Sequence, residues 1–242
     1  MEKQFLKNLT GMFDEAQVTD LGFAMQKDVP GWPTHPHYML LPWEEKRLGA
    51  VSNHFMISMG EHNGTHIDAS YHFFGKEEGG KTIDEFPLDK FRGPCAVLKF
   101  DGCDENYLVS KQDVLDWEAK NGEISEGDIV LFYFGWASRF APLPEGAAYV
   151  DKWPGVGGDA AEYLASKKIK MIGVDTFAAD IWNSTGYEAH RALLSKDILI
   201  MEGLNNLNLL PHWAYFLALP LALVGGSGSP MRPIAVWKKE EN

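Results

Sequence analysis

Residues 61–74 read EHNGTHIDASYHFF. Three of the eight histidines in the chain fall between His62 and His72, where random placement would put about 0.4. The spacing is also ordered, with His62, His66, Asp68 and His72 at relative positions 0, 4, 6 and 10. Even offsets share one face of an extended strand. On a helix, positions 0 and 4 would agree but position 6 would lie about 240° around. Gly64 and the β-branched Thr65 and Ile67 also disfavour a helix, so the HExxH type of zinc helix matches poorly. The expectation is an extended segment that turns its imidazoles and a carboxylate to one side. Ile67 and Ala69 then face an apolar layer, and Gly64 leaves room for a metal or a substrate.

Outward from this segment, 4–16 reads as a short amphipathic helix, and 28–48, with four prolines, as an irregular loop. Residues 49–59 alternate as a strand does, and 93–100 (GPCAVLKF) form a second strand. Ser110 followed by Asp113 marks a helix start, with the helix running to about 120 and stopping at Gly122. The apolar runs 128–134 and 169–174 read as strands covered on both faces. Helices are expected at 158–167 and 187–194, and further strands at 197–201 and 232–237. The apolar stretch 207–224 is broken by Asn208, Pro211, His212 and Pro220, so it reads as core and loop rather than a membrane span. The Gly-Ser run at 225–229 reads as a turn. Strands alternating with short helices predict an α/β fold with a mixed sheet. No linker divides it, so 1–242 is expected to be a single domain.

Two neutral imidazoles and a carboxylate suit Zn(II), Mn(II), Fe(II) or Co(II) and leave positions open for water. A divalent ion lowers the pKa of such a water and polarises a carbonyl oxygen. His72, with an ordinary pKa near 6.5, is suited to move the proton. The plainer alternative is a group of surface histidines with Asp68 in a turn.

The whole chain has 22 Lys+Arg against 34 Asp+Glu, a formal charge of −12. That acidity argues against nucleic acid and against anionic membrane surfaces, both of which need clustered basic residues. Cys95 and Cys103 are too few for a disulfide framework or a cysteine-rich zinc site. Two reduced thiols and no apolar signal-like stretch near the start predict a cytoplasmic protein.

The same segment resembles the H-x-G-T-H-x-D-x-P-x-H pattern of the cyclase family, which includes isatin hydrolases and bacterial kynurenine formamidases. His62, Gly64, Thr65, His66, Asp68 and His72 match, and Ser70 stands where the pattern has proline. The resemblance continues in Gly173-Val174-Asp175, in His190 followed by Glu202-Gly203-Leu204, in Gly228-Ser229-Pro230-Met231-Arg232, and in the early Pro30-Gly31-Trp32-Pro33 loop. It implies a swivelling β/β/α fold, a homodimer and hydrolysis of a C–N amide bond in a small aromatic substrate. It also implies one or two divalent ions per chain, Mn(2+) or Zn(2+). His62, His66 and Asp68 would hold the first ion, with His72, His190 and Glu202 completing a second site bridged by Asp68. His72 would be the catalytic proton carrier.

Trp32, Trp43, Trp136, Trp153 and Trp182 fall in or beside expected loops, a composition suited to a flat apolar ligand. Trp32 and Asp175 are the candidate substrate contacts, while His35, His37, His54 and His212 have no ligand spacing and are read as structural. A cyclic amide such as isatin is the first expectation and N-formylkynurenine the second. The same residues are also compatible with a non-hydrolytic metal-binding protein, or with a metal-dependent isomerase or dehydratase.

Overall fold

The computed structural model describes residues 2–238. In chain order the strands are β1 (Ala16–Asp20), β2 (Met39–Glu44), β3 (His54–Ser58), β4 (His66–Asp68), β5 (Arg92–Lys99), β6 (Leu108–Val109) and β7 (Ile129–Tyr133). They continue with β8 (Gly155–Val156), β9 (Met171–Val174), β10 (Leu199–Glu202), β11 (Trp213–Leu217), β12 (Gly228–Pro230) and β13 (Ile234–Lys238). The helices are α1 (Glu2–Glu15), α2 (Lys111–Asn121), α3 (Gly158–Ser166) and α4 (Glu188–Leu194).

Nine strands form one mixed sheet in the order β1-β13-β11-β5-β7-β9-β10-β4-β12. The centre, β5-β7-β9-β10, is parallel. Both flanks, β11-β13-β1 and β4-β12, are antiparallel. This is the mixed-sheet α/β architecture that the alternation of strands and helices predicted.

Side-chain parity explains the layering, because alternate residues of a strand face opposite sides. Ala96, Leu98, Val130, Phe132, Ile172, Val174 and Ile200 pack under the helices, against residues such as Val114 and Trp117 of α2, Leu164 of α3 and Leu193 of α4. Cys95, Val97, Ile129, Leu131, Met171, Leu199 and Met201 take the other face with Ile67 and Ala69, covered by Ile83, Phe86, Phe91 and Leu204. Each large apolar side chain fully buried this way stabilises the fold by about 1.5–3 kcal/mol. Helix α2 begins as its sequence predicted: the Ser110 hydroxyl accepts from the Asp113 N–H, and Asp113 accepts from the Ser110 N–H at 2.8 Å.

Several local expectations give way. The irregular loop at 28–48 contains β2, which pairs with β3 in a separate hairpin. The strand expected at 49–59 starts only at His54. The core-and-loop stretch 207–224 holds β11, a full member of the sheet, and the turn expected at 225–229 runs into β12. Strand β1, which follows α1 directly, has no expected counterpart in the sequence pattern.

The signature segment also departs from a continuous strand. Only His66–Asp68 is β4, His62 precedes it in a turn, and His72 ends a 3-10 turn at Ser70–His72. Gly64 has φ +64°, where a side chain is strained, and a Cβ there would run into the Met25 thioether. Its role is to let the chain turn tightly over Met25, and not to leave space for a ligand.

Candidate metal centre

Strand register places the first acidic and imidazole groups. β4 lies antiparallel to β10 with His66 opposite Glu202 and Asp68 opposite Ile200. Paired residues share a face, and Ile200 belongs to the helix-side layer. His66, Asp68 and Glu202 therefore point to the side on which α4 packs, and α4 supplies His190. These four side chains are buried and lie at the carboxyl end of β10, where open α/β sheets build their sites.

The atoms converge closely. His66 Nε2 is 3.4 Å from Asp68 Oδ1 and 3.5 Å from Glu202 Oε2. His190 Nε2 is 3.4 Å from Asp68 Oδ2 and 3.3 Å from Glu202 Oε1. Donors at about 2.0–2.2 Å around a tetrahedral divalent ion lie about 3.3–3.6 Å apart. Asp68 Oδ2 is buried without a hydrogen-bond partner, an orphan that a protein interior rarely tolerates. The donor set, its spacing and the orphaned oxygen all fit a divalent cation.

His62 and His72 stand on the other side of Asp68. His62 Nδ1 is 2.6 Å from Asp68 Oδ1, and its Nε2 is 2.8 Å from Ser227 Oγ. The His62 and His72 rings lie 4.0 Å apart. His62, Asp68 and His72 offer ligand atoms within 4.8 Å of one another, as do His66, Asp68 and Glu202. The six side chains thus come together: His66 and His190 both approach Glu202, and His62 lies beside His72. Asp68 is common to both groups.

The electrostatics follow from burial and pairing. Burial pulls the His66 pKa down, but Glu202 and Asp68 outweigh it and raise it to about 9. His190 is likewise depressed by burial and raised well above the ordinary range by Asp180, Asp68 and Glu202. Burial and Asp68 push Glu202 up, yet His190 and His66 bring it to about 2. Asp68 is held well below the carboxylate range against its burial, chiefly by His62 and His72. Before any cation binds, the cradle is a balanced set of two imidazoliums and two carboxylates. His72 differs, because burial, only partly offset by Asp68, lowers its pKa and leaves it neutral near pH 7.

The cradle forms the floor of a cavity of about 540 Å³. Trp32, Phe73, Trp153, Phe177, Ile181, Trp182 and Tyr187 supply the walls, with Asn183, Ser184 and His35 among the polar groups. Trp32 lies parallel to Phe177, with interplanar angle 6° and centroids 5.7 Å apart. Trp32, the expected substrate contact, thus lines the cavity. Trp43 is exposed on the β2–β3 hairpin, and Trp136 is buried with its indole N–H donating to the Tyr149 carbonyl.

Asp175 does not join the cavity wall. It is fully buried and accepts from the N–H groups of Phe134 and Trp136, both at 2.9 Å, so it ties the end of β7 to the end of β9. Burial raises its pKa to about 7 against those bonds. His35, read as structural, does line the cavity, and no ligand-type spacing marked it. Phe73 and Phe177 were also missed, because an aromatic residue beside a strand end reads equally as core.

Three comparisons bear on this centre. The cyclase family model matches residues 19–181. Isatin hydrolase of Roseibium aggregatum is 32% identical over 196 residues, covering 75% of this chain and 73% of that protein. Kynurenine formamidase of Geobacillus thermodenitrificans is 30% identical over 215 residues, covering 88% and 94%. Among solved structures, an isatin hydrolase bound to the product analogue thioisatinate aligns over 99% of this chain and 100% of its own. The TM-score is 0.90 at 27% identity.

Proposed function

The chain belongs to the cyclase family, and on that premise we propose that it is a metal-dependent amidohydrolase that opens a small aromatic cyclic amide of the isatin type. The observation that carries this reading is the donor group of His66, Asp68 and Glu202, with His190 in reach of both carboxylates, at the floor of an aromatic cavity. His66, Asp68, His190 and Glu202 would hold one Mn(2+) or Zn(2+). His62, Asp68 and His72 are the donor group for a second ion. A bound ion supplies Lewis acidity toward a carbonyl oxygen and lowers the pKa of a water.

The chain's own residues do the rest. Trp32, Phe177 and Trp182 hold a flat ring against the cavity wall by stacking and apolar contact. His72, neutral near pH 7, accepts a proton from the attacking water and returns it to the departing nitrogen. The C–N bond breaks, and the product carries a carboxylate and a free amine. Loading the cradle requires His66 and His190 to give up their Nε2 protons, so cation binding releases protons.

The cyclic amide is preferred on one observation: among the described residues, no lysine or arginine lines the cavity. The charged amino-acid tail of N-formylkynurenine would enter without a cationic partner for its carboxylate, at the desolvation cost of an unpaired charge. Formamidase action is the second reading, supported by the larger share of both chains that the kynurenine formamidase alignment covers. A non-hydrolytic binding protein is disfavoured by the retention of neutral His72 beside a complete donor set.

We also read the protein as a cytoplasmic homodimer with one catalytic domain. Both cysteines are unpaired, and no helix of the described residues is long and apolar enough to cross a membrane. Helix α1 buries none of its residues and leaves Phe5, Leu6 and Met12 exposed, and the β2–β3 hairpin exposes Leu40, Trp43 and Ile57. Apolar patches of this kind support an association surface. The deciding experiment presents isatin and N-formylkynurenine separately to protein loaded with Mn(2+) or Zn(2+). Cation-dependent opening of isatin is the expected result. Turnover of the formamide alone moves the assignment to the second reading, and turnover of neither removes the hydrolase.

A further inference from the structure

An imidazole binds a cation through one nitrogen, and the partner of the other nitrogen decides which one is offered. The cradle contains two imidazoles, and they are set in different ways. His66 Nδ1 lies 2.9 Å from the Gly64 carbonyl. A carbonyl only accepts, so Nδ1 carries the proton and Nε2 faces Asp68 and Glu202. His190 Nδ1 lies 2.5 Å from Asp180 Oδ2. Asp180 is 4% exposed, and its two oxygens also accept from main-chain N–H groups at the start of α4: Ala189 at 2.8 Å and His190 at 3.2 Å. A carboxylate bonded this way is an acceptor throughout, which fixes the His190 proton on Nδ1.

The position of Asp180 in the chain adds to this. It ends the loop after β9 that also sends the Ala179 N–H to Glu202 Oε1 at 2.8 Å. One short segment therefore holds both Glu202 and His190. The same carboxylate seats α4 and orients the ring that α4 delivers.

We propose that Asp180 is a positioning residue for the cation cradle, holding His190 with its proton on Nδ1 and its Nε2 turned toward Asp68 and Glu202. It acts through His190, and its loss weakens cation binding at a site whose other donors are intact. The corresponding hold on His66 is a main-chain carbonyl that no side-chain substitution removes, so Asp180 is where this control can be tested. The inference rests on the reading of the cradle as a divalent-cation site.

The test is a calorimetric titration of the full chain with Zn(2+) alone, comparing the original protein with Asp180→Asn, alongside melting of both in cation-free buffer. An asparagine amide cannot satisfy the helix N–H groups and the Nδ1 proton together. The expected result is a ten- to hundredfold loss of Zn(2+) affinity in a variant that still melts cooperatively. Equal affinity overturns the proposal, including when the variant melts earlier, since that pattern marks a helix cap alone. If the original protein binds no Zn(2+), the cradle reading itself fails, a separate outcome that takes the proposal with it. Should Asp180→Asn not fold, nitrogen correlation spectroscopy of the Zn(2+)-loaded original protein decides. A His190 proton on Nδ1 supports the assignment, and one on Nε2 overturns it.

Discussion

The two sides of Asp68 are built on different principles. On one side, His66 and Glu202 are paired strand residues and His190 rides a helix, all of them buried. On the other, His62 sits in a turn and His72 at the end of a 3-10 turn, both only partly buried and bordering the cavity. Regular structure fixes the first group before any ligand arrives, as a preorganised site requires. Turn geometry leaves the second group beside the substrate space, where a proton carrier has to be. On the proposed reading, binding falls to the first side and proton transfer to the second.

The strongest way to break that comparison is at its shared member. Asp68→Asn removes the carboxylate from both groups and leaves the His66 and His190 charges without their common partner. Cation binding and turnover should both be lost. The cation-free protein should lose about 3–5 kcal/mol, the usual cost of breaking a buried ion pair, measured by denaturant unfolding. Retained cation binding would show that the two sides do not depend on Asp68.

The sides separate next at His72. His72→Ala should keep the cation of the His66–Asp68–Glu202 group, at least one ion per chain by elemental analysis of the purified protein, while kcat falls about 10²–10⁴-fold. A parallel loss of the cation would move His72 to the binding side and erase the distinction.

How legible each side was in the sequence follows from the same contrast. The even spacing of His66 and Asp68 survives because β4 is a real strand, and Ile67 and Ala69 turn into the core as alternation requires. The equal spacing of His62 and His72 is fortuitous, since neither lies on that strand. Glu202 and His190 were found through the family pattern, because β4–β10 pairing and α4 packing join residues more than a hundred positions apart, which local periodicity does not encode. The partner of Asp180 is no more legible locally: its carboxylate acts on a helix that starts eight residues later. In the fold, the central parallel strands were legible as continuous apolar runs. Strands β2 and β11 were not, because prolines within or beside them read as loop, although Pro42 sits on a two-stranded hairpin with a register shift that tolerates it.

A pH titration of the cation-free protein sharpens the electrostatic half of the comparison. The folded pKa of His66, about 9, lies above its ordinary 6.5. A raised basic group contributes stability that is fully present below the unfolded pKa and is lost as pH rises through the folded one. Unfolding free energy should therefore fall between about pH 6.5 and 9, by up to about 3 kcal/mol from this group. Bound Zn(2+) should abolish the loss, because Nε2 then carries the metal in place of the proton. His72→Ala should leave the slope nearly intact, since neutral His72 contributes no such charge. A flat profile would mean that the cradle is not held as a set of imidazoliums and carboxylates.

The smallest effect tests how the flexible side is kept in place. Ser70 opens the 3-10 turn that ends in His72, at the position where the family pattern has proline. Its buried hydroxyl donates to Asp197 Oδ1 at 2.7 Å and accepts from the Lys81 N–H at 3.0 Å, and the Lys81 ammonium closes the network on Asp197 Oδ2 at 2.5 Å. A side-chain pin thus replaces the rigidity a pyrrolidine ring would supply. Ala69 is extended, with φ −89° and ψ 162°, the conformation required before a proline, and the first residue of a helical turn accepts proline. Ser70→Ala should cost about 1–2 kcal/mol, from the lost hydrogen bonds and the exposed need of the Lys81 N–H. Ser70→Pro loses the same bonds but recovers about 0.4–1 kcal/mol by restricting the unfolded chain. It should therefore melt above Ser70→Ala and hold His72-dependent turnover nearer to that of the original protein. If proline proves the worse of the two, the hydroxyl network is shaping the turn in a way that fixing φ does not reproduce.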